Sequence, residues 1–89
     1  MYAEEVIQAV GELCRKYSAN EAVLFGSRAK GTARERSDID IAVSGIEEMD
    51  VFLEEVEMLP TLYSVDVVDL DTCRNELLVE DIRKYGRQI

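Results

Sequence analysis

The chain has 89 residues and 47% hydrophobic content, which fits one compact domain over residues 1–89. A chain of this length buries roughly 60–65% of the surface its unfolded form exposes, so any acceptor larger than a small ligand must be gripped by a partner, a second copy or a shallow surface. Nineteen acidic residues against ten basic ones give a net charge of −9. That balance argues against general nucleic-acid binding, which rests on phosphate neutralisation by Lys and Arg, and fits equally a basic protein partner or acidity that only confers solubility. The chain has no His, so neither a Ser/His nor a Cys/His catalytic pair can form within it, and Cys14 and Cys73 lack metal-ligand spacing. No leader-like start and no apolar run near ~20 residues is present, so a reduced, cytoplasmic protein without membrane contact is expected.

In chain order, Val6, Ile7, Val10, Leu13, Cys14 and Tyr17 recur at three- and four-residue steps and predict a first helix over 3–17, with Cys14 on its apolar stripe. Ser18-Ala19-Asn20 ends it. Ala22-Val23-Leu24-Phe25 reads as a short buried strand broken by Gly26-Ser27. Residues 28 to 37 are polar and basic and predict a short helix followed by a loop. Alternation returns at Ile39, Ile41 and Val43, leaving Asp38 and Asp40 on the other face of a second strand that Gly45 closes. Met49, Phe52, Leu53, Val56 and Leu59 give a helix within 46–59, stopped by Pro60, whose acidic run from Glu47 to Glu57 reads as a solvated face. A β-branched run over 63–70 predicts a third strand, and residues 74–85 a last helix with Gly86 as its stop. Strands alternating with helices predict an α/β or α+β fold.

Three features carry chemistry. Gly26 and Ser27 sit where a buried strand turns into a helix, so free backbone N–H groups can receive a phosphate, although a Gly-Ser pair alone is an ordinary turn. Asp38 and Asp40, two apart on a strand, project from one face and can reach one metal centre; without a cation their repulsion raises a pKa. Taken alone they equally fit a solvent-facing edge strand. Asp66 supplies a third carboxylate if its strand neighbours theirs, and such a triad suits two-metal phosphoryl transfer with Mg²⁺. Asp69 and Asp71 compete for the third place and alternation alone does not choose; position favours Asp66, because Asp71 with Thr72 reads as a helix cap and Asp69 as exposed near the strand end. Arg28, Lys30, Arg34 and Arg36 form a local basic patch beside the phosphate site; Arg28, directly after Gly-Ser, is the leading candidate for a phosphate contact, although for each residue of the patch pairing with nearby acids or solvation is the commoner outcome.

Gly26-Ser27, ten intervening residues, then Asp38-Ile39-Asp40 resembles the GSx10DxD signature of the DNA polymerase β-like nucleotidyltransferase superfamily. The stretch VLFGSRAKGTARERSDIDIAV is most similar to its minimal nucleotidyltransferase (MNT) group, SVDVVDL to that group's third-aspartate strand, and NELLVEDIRKYG to its closing helix. The resemblance implies a small mixed sheet with helices on one face and the acidic site on the other. It implies Gly26 and Ser27 as nucleotide-binding residues, to which the basic patch adds Arg28, and Asp38, Asp40 and Asp66 as metal ligands and catalytic residues for Mg²⁺ and ATP or another NTP. The chain departs from the pattern in having little or none of a short final strand and no appended helical domain.

The resemblance further implies an antitoxin partnered with a HEPN-type toxin, transferring AMP from ATP to a tyrosine of that partner; an acidic antitoxin is suited to a basic partner. Two alternatives are a non-catalytic module that neutralises its partner by masking, and nucleotidyl transfer to a small hydroxylated molecule in a homodimer cleft.

Overall fold

The structure of the protein is a computed structural model and describes residues 2–34 and 37–89. Its elements run α1 (Ala3–Lys16), β1 (Glu21–Phe25), α2 (Ser27–Lys30), β2 (Ile39–Ser44), α3 (Met49–Glu57), β3 (Val65–Asp69), α4 (Glu76–Tyr85) and β4 (Arg87–Gln88). The strands form one four-stranded sheet in the order β3-β2-β1-β4. β1 pairs antiparallel with β2 and β4, while β2 and β3 run parallel, making the expected mixed sheet.

Alternation along the strands sorts side chains onto two faces. Leu24, Ile39, Ile41 and Val43 point into a core shared with Val6, Ile7, Val10 and Cys14 of α1 and with Phe52 and Val56 of α3. Phe52 is fully buried and meets Tyr17 edge to face, ring centroids 5.9 Å apart. Cys14 is buried in this core as its helical stripe predicts, and burial pushes its thiol pKa up to about 11.

Val23, Phe25 and Ala42 face the other way and pack against Ile82 of α4. The layering of helices opposite the acids therefore holds for α1 and α3, whereas α4 lies on the acid-bearing face, over β1. Arg83 donates to both Glu21 carboxylate oxygens and pins α4 to that strand. Gly86 does not end α4 through a left-handed turn; its φ is −66°. A Cβ there would collide with the Ile82 carbonyl and the Val23 side chain, so glycine serves close packing.

Two local expectations change. The short final strand is present: Arg87–Gln88 pairs with Leu24 and Val23, and Ile89 N–H continues to the Ala22 carbonyl at 3.0 Å. Asp71 does not cap the last helix; Asn75 does, its Oδ1 accepting from Leu78 N–H at 3.1 Å. Asp71 Oδ2 accepts from Gly45 N–H at 2.8 Å and ties the turn after β3 to the end of β2. Among the described residues, no helix is long and apolar enough to cross a membrane.

Candidate active site

Strand pairing brings the proposed acids together. β2 and β3 are parallel neighbours with Asp40 directly opposite Asp66, and Phe25, the last residue of β1, lies opposite Asp40 from the other side. Gly26, which follows, thus falls against Asp40. Its φ of 73° and ψ of −155° lie in a region essentially reserved for glycine, and a Cβ at this position would run into Asp40 Oδ2. Gly26 N-caps α2, Ser27 is the helix's first residue, and left-handed Gly31 (φ 76°) closes it.

Asp40 is half-buried, and Asp66 and Asp38 are exposed. Burial first, then the negative charges of Asp66 and Asp38 and a hydrogen bond shared with Asp66, raise the Asp40 carboxyl above its ordinary pKa. This is the shift expected of carboxyls crowded at one place. Asp38 lies one residue before β2, close enough for its charge to act on Asp40. The three do not close into one ligand cluster: among the described residues, no three acidic or thiol side chains are grouped to hold a single ion. The donor set nevertheless suits a hard cation. It offers carboxylate oxygens, one of which, Asp40 Oδ2, sits where a Cβ on residue 26 would intrude.

Arg28 sits on α2 with its guanidinium turned to the loop before β2. Nε and Nη2 both donate to the Ser37 carbonyl, at 3.2 and 2.7 Å. The same group lies 5.1 Å from the centre of the Tyr63 ring, just ahead of β3. Lys30 pairs with Asp81 at 3.0 Å and lies 4.9 Å from the Tyr85 ring centre. Arg34 is bonded through its backbone to Ser37; Arg36 falls outside the described residues. Asp69 is half-buried, its Oδ1 accepting from Asp71 N–H at 3.0 Å, which leaves Asp66 as the β3 carboxylate beside Asp40. Sequence spacing gives no sign of Ser37 and Tyr63, because each is recognised only by what Arg28 touches. An open cavity of about 680 Å³ bordered by Lys16, Asn20, Gly45 and Glu48 lies at the opposite end of the strands, away from these acids.

A parallel acid-bearing strand pair faced by a Gly-Ser turn defines a nucleotidyltransferase core. The family model described as "Polymerase beta, Nucleotidyltransferase" matches residues 8–89, and the chain belongs to that family. Among solved structures it is similar to a toxin-antitoxin crystallised with AMP-PNP, with 28% identity over 92% of this chain and 70% of the other, at a TM-score of 0.69. It is also similar to a toxin-antitoxin MntA-HpeT mutant carrying two Asp-to-Glu substitutions two positions apart, with 26% identity over the same shares and a TM-score of 0.72. A Sulfolobus solfataricus protein, solved as a candidate nucleotidyltransferase, shares the fold at 22% identity and a TM-score of 0.53, covering 96% of this chain and 79% of its own. No curated protein sequence matches the chain.

Proposed function

We propose that residues 1–89 act as one cytoplasmic nucleotidyltransferase domain that moves AMP from ATP to a hydroxyl of a HEPN-type toxin, a tyrosine, and thereby serves as its antitoxin. The observation that carries this reading is the pairing of Asp40 with Asp66 beside Gly26. It sets two carboxylates against the Gly26-Ser27 turn that opens the GSx10DxD spacing. The similar toxin-antitoxin structures, one with AMP-PNP and one altered at two aspartates, support both the nucleotide and the role.

In this reading the N–H groups at Gly26 and Ser27 receive the triphosphate, with the positive charge of Arg28 beside them. Asp38, Asp40 and Asp66 would hold Mg²⁺. Divalent cations bound there would neutralise the phosphates and sharpen the acceptor hydroxyl for in-line attack. Asp66, exposed on β3, faces the incoming hydroxyl and helps draw off its proton; the hydroxyl oxygen bonds to the α-phosphorus as the bond to pyrophosphate breaks. The net charge of −9 favours encounter with a basic partner.

The test combines the purified chain with the protein encoded beside it, Mg²⁺ and α-labelled ATP. Label on a tyrosine of that neighbour is expected, and its absence overturns the acceptor assignment. Neutralisation of the neighbour by a folded Asp38→Asn/Asp40→Asn variant would show masking rather than catalysis.

A further inference from the structure

The guanidinium of Arg28 joins three elements that the chain brings to the site separately. It is anchored on α2, it donates twice to the carbonyl of Ser37, the residue next to Asp38, and it lies 5.1 Å from the ring centre of Tyr63, which leads into the strand of Asp66. We propose that Arg28 is a positioning residue that fixes the backbone approaches of Asp38 and Asp66 and so sets the spacing of the two outer carboxylates around Asp40. This rests on the reading of those carboxylates as metal ligands.

Three physical features support the clamp. Asp38 lies outside the β2 ladder, so the sheet alone does not hold it. A forked donor bound twice to one carbonyl, with its carbon 5.1 Å from a ring centre, fixes orientation in a way a lysine ammonium does not. Ser37 itself is held on its other side, its N–H reaching the Arg34 carbonyl at 3.0 Å and its Oγ accepting from Arg34 N–H at 2.8 Å. Turning Asp38 therefore means breaking a bonded turn.

The clamp and a simple field effect predict opposite signs. As a nearby positive charge, Arg28 would repel a divalent cation, so Arg28→Gln should bind metal more tightly if charge were its whole contribution. As a clamp, its removal should weaken binding, because partners that orient metal ligands are worth roughly 10–100-fold in affinity.

The experiment titrates Mn²⁺ into the full chain without nucleotide, following free Mn²⁺ by electron paramagnetic resonance, with thermal melting as a check of folding. Arg28→Gln and Arg28→Lys are each expected to weaken Mn²⁺ binding by about tenfold. Tyr63→Leu should weaken it less, and Tyr63→Phe, which keeps the ring, should leave it unchanged. Unchanged or tighter binding in folded Arg28→Gln and Arg28→Lys overturns the clamp. If either variant fails to fold, the contrast of Tyr63→Leu with Tyr63→Phe decides, equal affinities overturning the proposal. Wild-type protein that binds no Mn²⁺ overturns the metal-site reading instead, so the two failures are distinguishable.

Discussion

Asp40→Asn should make the protein more stable while disabling the site. Asp40 is half-buried and faces Asp66 across a parallel strand pair, with Asp38 nearby. Favourable cross-strand pairs contribute roughly 0.2–1 kcal/mol and like charges directly opposite are destabilising; a cost of that order applies to Asp40 beside Asp66. An asparagine of the same shape removes that repulsion and can donate its amide to Asp66. For a domain of this size about 1 kcal/mol moves Tm by roughly 4–8 °C, so a rise of about 1–8 °C is expected in EDTA at low ionic strength, shrinking in ~0.5 M salt. The pH dependence follows from the raised carboxyl of Asp40. The folded state holds that proton more tightly than the unfolded chain does, so the wild-type penalty is full above the folded pKa and is relieved as pH falls toward the ordinary value of 3.8. The gap between variant and wild type should close over that acidic window. Melting curves of both proteins at pH 7 and pH 4, at low and high salt, measure it. A variant that melts at or below wild type in low salt at pH 7 refutes the crowded-carboxylate account. With Mg²⁺ at about ten times its Kd, wild type should gain about 1.4 kcal/mol and Asp40→Asn little.

Gly26→Ala should lower stability by about 1–3 kcal/mol through its backbone conformation; turning Asp40 aside relieves only the Cβ collision, so nucleotidyl transfer should fall in a label assay even where the fold survives. Gly86→Ala meets the Ile82 carbonyl and Val23 and should cost about 1–3 kcal/mol, read as a lower urea midpoint with increased amide exchange at Ile89. Phe52→Ala empties a fully buried site and should cost about 3–5 kcal/mol, a large share of a small domain's stability, in urea unfolding. Cys14, with its thiol pKa pushed up to about 11 by burial, should stay unmodified by iodoacetamide at pH 8 in native protein while half-buried Cys73 reacts; equal labelling of both would contradict the packing of α1.

Much of this protein is legible from local pattern. Helical spacing determines which side of α1 and α3 is buried, because the stripe of Val6, Val10, Cys14, Phe52 and Val56 has no other place to leave water. Period-two alternation places Asp40 away from Ile39 and Ile41, and the spacing from Gly26-Ser27 to Asp38-Ile39-Asp40 carries the resemblance to the family whose model matches residues 8–89. What spacing along the chain cannot contain is a contact between distant segments. Only the tertiary structure decides that β2 and β3 are parallel and in register at Asp40 and Asp66. It also decides that Arg28 faces Ser37 and Tyr63, that Asp71 bonds Gly45 while Asn75 caps α4, and that α4 shares the acid-bearing face. The short strand Arg87–Gln88 exists because β1 offers an open edge to it, not because two polar residues prefer a strand. Arginine, tyrosine and aspartate carry no periodic signal of their partners; those are set by which strands the packed faces bring side by side.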